Sequence, residues 1–289
     1  MYTINRIADL VEYLYDFKEK NKNRDSGIYY RGESKNYGLS SGTPSIGRNN
    51  KLKNEYYYFR ECERRLPNEF RECRTTFERL VKMQHYMMPT RLLDISLDPL
   101  SALFFCIYDD PRSKIDTSEE DGILLIYKIP KETIKNHHSD AVSIISNIAV
   151  YKFDDLDISF LNPDYENDRK AFNNAPSIKY LLHEIRAEKS YFQPWIDKKD
   201  LESVFCVHPL LDNPRIRMQQ GAFLLFGIDG NRNKLASIDK SKIICEKLLI
   251  PSKAKQRLRD ELLMMGKTID VIYPDWDGVT DYLNRFCEI

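Results

Sequence analysis

Three short stretches of this chain gather side chains that can do chemistry. The first is Tyr29-Tyr30-Arg31-Gly32-Glu33-Ser34. An arginine leaving a strand end can grip a phosphate or carboxylate through parallel N–H donors. The adjoining Gly32 would let a ligand come close to the backbone. Arg31 can equally lock its own loop through Glu33 or Asp94, and both roles stay open. The second stretch, from Gln84 to Ser96, packs an amide, an imidazole, a guanidinium and a carboxylate ahead of an apolar run. His85 falls at a helix end, where the dipole favours an imidazolium that can cap carbonyls. Thr90, Arg91, Asp94 and Ser96 suit a tight turn whose side chains satisfy one another, with Arg91 paired to Asp94. The third stretch runs from Asn213 to Phe223 and holds Arg215, Gln219, Gln220 and Gly221. Amides are weak acids and bases, so Gln219 and Gln220 would orient or recognise a ligand, or satisfy a neighbouring backbone. No HExxH, no GxSxG and no glycine-rich nucleotide loop occurs. No second His or Cys stands at ligand spacing from His85, so no metal is expected. His137 and His138 read as surface residues.

The elements that must position these groups mix helix and strand. Residues 5–20 form an amphipathic helix with Ile7, Leu10, Val11, Leu14 and Tyr15 on one face. Residues 27–31 read as a strand, and 32–50 as a loop too long to be a mere connector. Charged helix follows over 53–70, interrupted near Pro67, then helix over 75–86. Asp98 suits an N-cap and Pro99 a first helical position, opening a buried apolar helix. Strands are expected over 122–129, 201–208, 221–228 and 243–250, and a helix over 178–190. Another helix runs from a cap at Ser252 to Met265, stopped by Gly266. Residues 140–151 fit helix or strand. Without regular βαβ alternation, the expectation is one α+β domain. It has a central, partly antiparallel sheet flanked by helices. Residues 1–25 add an N-terminal helix to a unit spanning 26–289.

The 289 residues are 42% apolar and 30% charged, an ordinary globular composition. Forty-four basic side chains balance 44 acidic ones, so no global charge draws the chain to nucleic acid or an anionic membrane. No apolar run reaches the roughly 20 residues of a membrane span. The first residues lack a signal peptide's apolar core. Six scattered cysteines without a CxxC pair fit reduced thiols. A cytoplasmic protein is expected. Charge is uneven, with 14 acidic against 8 basic residues over 109–170, and 4 against 10 over 230–267. The two segments face each other or solvent, or the basic one meets a phosphate-bearing partner such as nucleic acid.

Read in order, the motifs resemble the FRG domain family, named for its (Phe/Tyr)-Arg-Gly motif. Tyr30-Arg31-Gly32 is followed by a helix with Glu55, then Gln84-His85 and Pro89-Thr90-Arg91-Leu92-Leu93-Asp94. Pro99-Leu100-Ser101-Ala102-Leu103-Phe104-Phe105-Cys106 matches a Pro-Leu-x-Ala-Leu-(Phe/Tyr)-Phe-Ala run with Cys in place of Ala. Arg215, Ile216, Gln219, Gly221 and Phe223 match a later motif, and Pro274, Asp275, Asp277 and Gly278 a closing one. Met87-Met88 departs from the small residue usual between His and Pro, and Ile95-Ser96 from the aromatic or Thr that often follows the Asp. The resemblance extends to components of mobile elements and bacterial defence, and so implies a toxin-like or phage-defence effector. Tyr-Arg-Gly on a strand also occurs in mono-ADP-ribosyltransferases, where the Arg helps hold NAD. By that likeness Arg31 would hold NAD, and Ser96 or Gln219 would support the nicotinamide side. The catalytic Glu of those enzymes has no motif match; Glu33, Glu55 and Glu184 are candidates.

The resulting expectation is an enzyme acting on NAD or another nucleotide. Its catalytic candidates are His85, Glu33 and Gln219. Its ligand-binding candidates are Tyr30, Arg31, Gly32, Thr90, Arg91, Asp94, Ser96, Arg215, Gln220 and Gly221. The alternatives are a nucleic-acid-binding or -cleaving effector working through residues 230–267, and a non-catalytic recognition module.

Overall fold

The computed structural model describes residues 1–22, 25–110, 115–152, 156–158 and 169–286. In chain order the strands are β1 (Tyr2–Thr3), β2 (Ser26–Glu33), β3 (Leu92–Ser96), β4 (Gly122–Pro130) and β5 (Ile134–Asn136). They continue with β6 (Val204–His208), β7 (Gly221–Phe226), β8 (Ile228–Asp229), β9 (Asn231–Leu235) and β10 (Ile244–Ile250). The middle of β4, Leu124-Leu125-Ile126-Tyr127, is buried on both faces, as a strand covered from two sides must be. β8 and β9 pair as a small separate ribbon. The other eight strands form one mixed sheet in the order β1-β10-β4-β2-β3-β7-β6-β5. Its outermost pairs, β1 with β10 and β5 with β6, are parallel; the inner pairs are antiparallel. Helices flank this sheet in a single α+β domain.

The pairing is uneven. β2 pairs with β4 along its whole length, and β3 does the same with β7. Between β2 and β3 the register holds one pair among the described residues, Tyr30 with Ser96. Two four-strand halves therefore meet at a narrow seam. On one face the seam divides the core. On one side Tyr30, Leu124, Ile126 and Leu248 pack with helices Pro99–Ile107 and Ser252–Met264. On the other, Leu92, Phe205, Phe223 and Leu225 pack with helices Thr76–His85, Asp140–Ser146 and Pro176–Glu188. On the opposite face one cluster spans the seam, from Tyr127 and Tyr29 to Leu93, Ile95 and Leu224.

Several elements differ from their sequence reading. Helix Ile7–Lys20 buries Ile7, Leu10 and Phe17, whereas Val11 and Tyr15 are 59% and 67% exposed. The buried stripe is thus Ile7, Leu10 and Phe17, in one cluster with Leu258 and Leu262, while Val11 and Tyr15 line a groove beside Met264 and Met265. Ser252 is the first residue of its helix and not the cap; its N–H is met from across the chain by Asp121 Oδ1 at 2.7 Å. Residues 140–151 resolve into helix Asp140–Ser146 and a 3-10 turn, Asn147–Val150, buried from Ala141 onward. His137 is buried, not on the surface, because its N–H continues the β5–β6 pairing to His208 O. The long loop after β2 folds into 3-10 turns at Gly38–Ser40, Ser45–Gly47 and Lys51–Asn54. It is pinned beside β3 by Ile46 N–H to Thr90 O and Thr90 N–H to Ser45 Oγ. Asp98 does cap its helix, accepting from Leu100 N–H at 3.0 Å.

Candidate functional site

A cleft of about 440 Å³ opens where β2 and β3 part. β2 contributes Tyr30, Arg31, Gly32 and Glu33 to its wall. The end of helix Thr76–His85 contributes Gln84 and His85, and β3 contributes Asp94 and Ser96. Arg215, Gln219 and Gly221 line it from the far half. Most of the candidate residues therefore converge on one open space. Thr90, Arg91 and Gln220 do not line it, nor do Glu55 and Glu184.

Arg31 bridges the seam where ladder bonds stop. Its Nη1 donates to Asp94 O at 2.9 Å and its Nε to Glu33 Oε1 at 3.3 Å. Glu33 is buried and also accepts from Ser41 Oγ at 2.7 Å and Gly42 N–H at 3.0 Å. Its carboxylate thus fastens the loop after β2 and aims Arg31. Asp94 stands exposed in the cleft, its Oδ2 accepting from Gln84 Nε2 at 2.6 Å. Gln84 is held from behind by the Thr90 hydroxyl, 2.6 Å from its Oε1. His85 Nδ1 lies 3.4 Å from Asn213 Nδ2, and its ring meets Tyr86 edge-on.

Arg91 pairs with Glu55, not with Asp94. Its Nε donates to Glu55 Oε1 at 2.8 Å, its Nη2 to Glu55 Oε2 and its Nη1 to Phe226 O at 2.7 Å. Period-two alternation explains the difference. Asp94 shares a face with Leu92, while the Arg91 side chain leaves from the other, one residue before β3, and meets Glu55 at the start of helix Glu55–Arg65. Glu55 is consumed by that buried pair, and Glu184 reaches Arg60 away from the cleft. Gly32 also differs from expectation. A Cβ there would stand 1.9 Å from Ala102 O and 2.8 Å from Phe105 Cβ. The close approach it permits is that of helix Pro99–Ile107, not of a ligand.

Other candidates line the cleft yet act as fasteners. Ser96 Oγ donates to Gln219 O at 2.6 Å and accepts from Asp98 N–H at 2.9 Å. Gln219 Nε2 donates to Ile272 O at 3.0 Å. Arg215 is buried, pairs with Asp275 and lies 4.7 Å over the Tyr273 ring. Burial opposes ionisation of Asp275, but Arg215 and the Gly278 N–H outweigh it and hold the carboxyl below its usual range. That single pair joins the third motif to the closing one. Gln220 is exposed, with φ at +45°.

Sequence reasoning missed Arg48, Tyr37, Phe105, Tyr108 and Tyr273, all of which line the cleft. Arg48 and Tyr37 sit in the aperiodic loop, whose unusual length was the available signal. Met87 is a further lining residue. It follows the helix end in the left-handed region, with φ at +62°, while Met88 N–H reaches back to Met83 O. That is the helix-terminating position at which glycine is favoured. Met87→Gly is therefore expected to raise stability by about 0.5–1 kcal/mol. It removes roughly 1–2 kcal/mol of left-handed strain and returns part of that as chain entropy. A urea midpoint lower than the wild type's would contradict this.

The basic segment over 230–267 is largely committed to structure. Lys255 is buried and donates to Ser34 O and Thr117 O; Arg232 is buried against Tyr151 O. Arg259 donates to Ile107 O, and Lys267 pairs with Asp98. Lys234, Lys242 and Arg257 have acidic partners. Among the described residues no cluster of three or more His, Cys, Asp or Glu is placed to hold a metal. No described helix is long and apolar enough to cross a membrane.

Residues 26–114 match the family model described as the FRG domain. No curated protein and no solved structure matches the chain.

Proposed function

We propose, from the premise that this is an FRG domain-containing protein, that the seam cleft binds NAD or a related nucleotide and that the chain is an enzyme acting on it. The observation that carries this is the convergence of Arg31, Gln84, His85 and Asp94 on one open cleft. Had they been internal clasps like Arg91 and Glu55, they would lie buried in closed pairs. The volume is in the range of small-molecule sites. Its lining joins aromatic faces, Tyr37, Phe105 and Tyr108, to few polar groups, which suits a flat base beside a charged backbone.

In this reading Arg31 holds phosphate, positioned by Glu33 and Asp94 O. Asp94 is the carboxylate that faces the reacting centre. Heterolysis of the bond between nicotinamide and ribose C1′ sends the electron pair out with nicotinamide. The cationic sugar left behind is stabilised by Asp94. Water or an acceptor's nucleophile then attaches at C1′, and Asp94 or His85 takes the released proton. Gln219 keeps the far wall in register through its bond to Ile272 O. The resemblance to mobile-element and defence components supports a toxin-like role. The test is nicotinamide release from NAD by the purified protein, followed by chromatography. The wild type is expected to release it and Arg31→Ala to do so at least tenfold more slowly. A wild type that neither releases nicotinamide nor gains melting temperature with NAD overturns the proposal.

A further inference from the structure

We propose that Arg31 and Arg48 together form a clamp for a diphosphate, so that the ligand class is a nucleoside diphosphate or dinucleotide, not a nucleoside or its monophosphate. This deepens the nucleotide reading and rests on it. Arg31 comes from β2 and Arg48 from the loop that folds back beside it, and both line the cleft. Each guanidinium is fixed by the protein at two of its nitrogens. Arg31 uses Nε and Nη1 on Glu33 and Asp94 O. Arg48 uses Nε and Nη2 on Thr43 O, at 3.2 and 2.8 Å, and lies 5.0 Å over the Tyr37 ring.

The third nitrogen of each, Arg31 Nη2 and Arg48 Nη1, donates to no group among the described residues. Two NH₂ groups are thus held ready without an acceptor among the described residues. The two charges are also near enough to oppose each other. Burial pulls the Arg48 guanidinium below its usual range, and the Arg31 charge pulls it further, while Glu33 and Tyr37 act against that. Glu33 offsets one of the two positive charges, and its oxygens are already taken by Ser41, Gly42 and Arg31. A monophosphate could satisfy one guanidinium well. A diphosphate presents oxygens to both, and the fixed side chains lose little freedom on binding it. A purely structural Arg48, locking its loop through Thr43 O, would give no such discrimination.

Calorimetry on the full chain with inorganic pyrophosphate and inorganic phosphate as probes tests this. The wild type is expected to bind pyrophosphate at least about tenfold more tightly than phosphate, the scale of one further charge-assisted contact. Arg48→Gln should lose about tenfold for pyrophosphate and bring the two anions close together, with its melting temperature as the control for folding. Arg48→Lys keeps the charge but not the fork, and should recover only part of the preference. Equal binding of the two anions by the wild type, or unchanged selectivity in Arg48→Gln, overturns the clamp. If Arg48→Gln does not fold, the wild-type comparison alone decides. Nicotinamide release from NAD without any pyrophosphate preference would remove the clamp and leave the nucleotide reading standing. Loss of both would remove the reading itself.

Discussion

Arg91→Ala should unfold at a far lower denaturant concentration than the wild type, with about 3–5 kcal/mol lost. The Arg91 side chain is fully buried and Glu55 nearly so, and their contact is bidentate with a third donor on Phe226 O. Removing the guanidinium strands a carboxylate in the core, and desolvation of that charge is what makes the loss large. Glu55→Ala should cost a similar amount by stranding the arginine instead. Glu55 also opens helix Glu55–Arg65, where a negative charge suits the dipole, so its loss loosens that helix too. An Arg91→Met, Glu55→Leu double replacement should recover much of the difference, because no charge is then left alone. Against a typical total of about 5–15 kcal/mol, either single change approaches global unfolding. A loss below about 1 kcal/mol in Arg91→Ala, measured by urea titration, would contradict the clasp.

Asp94→Asn should behave in the opposite way. The side chain is exposed in the cleft, and an amide can keep the contact with Gln84 by presenting its oxygen. Stability should change by less than about 0.5 kcal/mol, as for an ordinary surface substitution. Nicotinamide release should fall by about 10²–10³, the scale seen when one electrostatic contact to a transition state is deleted. Pyrophosphate should bind at least as tightly as before, since a repelling carboxylate is gone. Arg31→Ala is the complement, losing anion affinity and turnover together. It also breaks the bond to Asp94 O across the seam, at about 1–2 kcal/mol. Undiminished turnover in Asp94→Asn, with the fold intact by circular dichroism, would remove this carboxylate from the chemistry. With turnover lost and the fold kept, two polar residues three positions apart carry opposite burdens.

That contrast shows which features could be read from sequence. The strand with Arg31, the Asp98 cap and the buried apolar helix were legible because periodicity and capping are local. The partner of Arg91 was not. Asp94 is near in sequence, but strand alternation sends the two side chains to different faces, and Glu55 arrives from 36 residues away. The Arg215–Asp275 pair spans 60 residues, and neither motif names the other. Arg48 lies in a loop without period, so nothing in the sequence aimed it at the cleft. The position of the cleft is hardest of all to read, since it depends on where pairing between β2 and β3 stops. Met87 is the instructive exception. Its departure from a small residue was visible, and the left-handed backbone there gives that departure its physical meaning.

β2 and β3 occupy the two middle places of the eight-stranded order, and both fall inside the matched segment 26–114. Yet within that segment they share one residue pair, while their long-paired neighbours β4 and β7 begin at Gly122 and Gly221. The matched segment therefore takes most of the pairing of its two strands from later in the chain. It is the keystone of an arch whose other stones come from later in the chain.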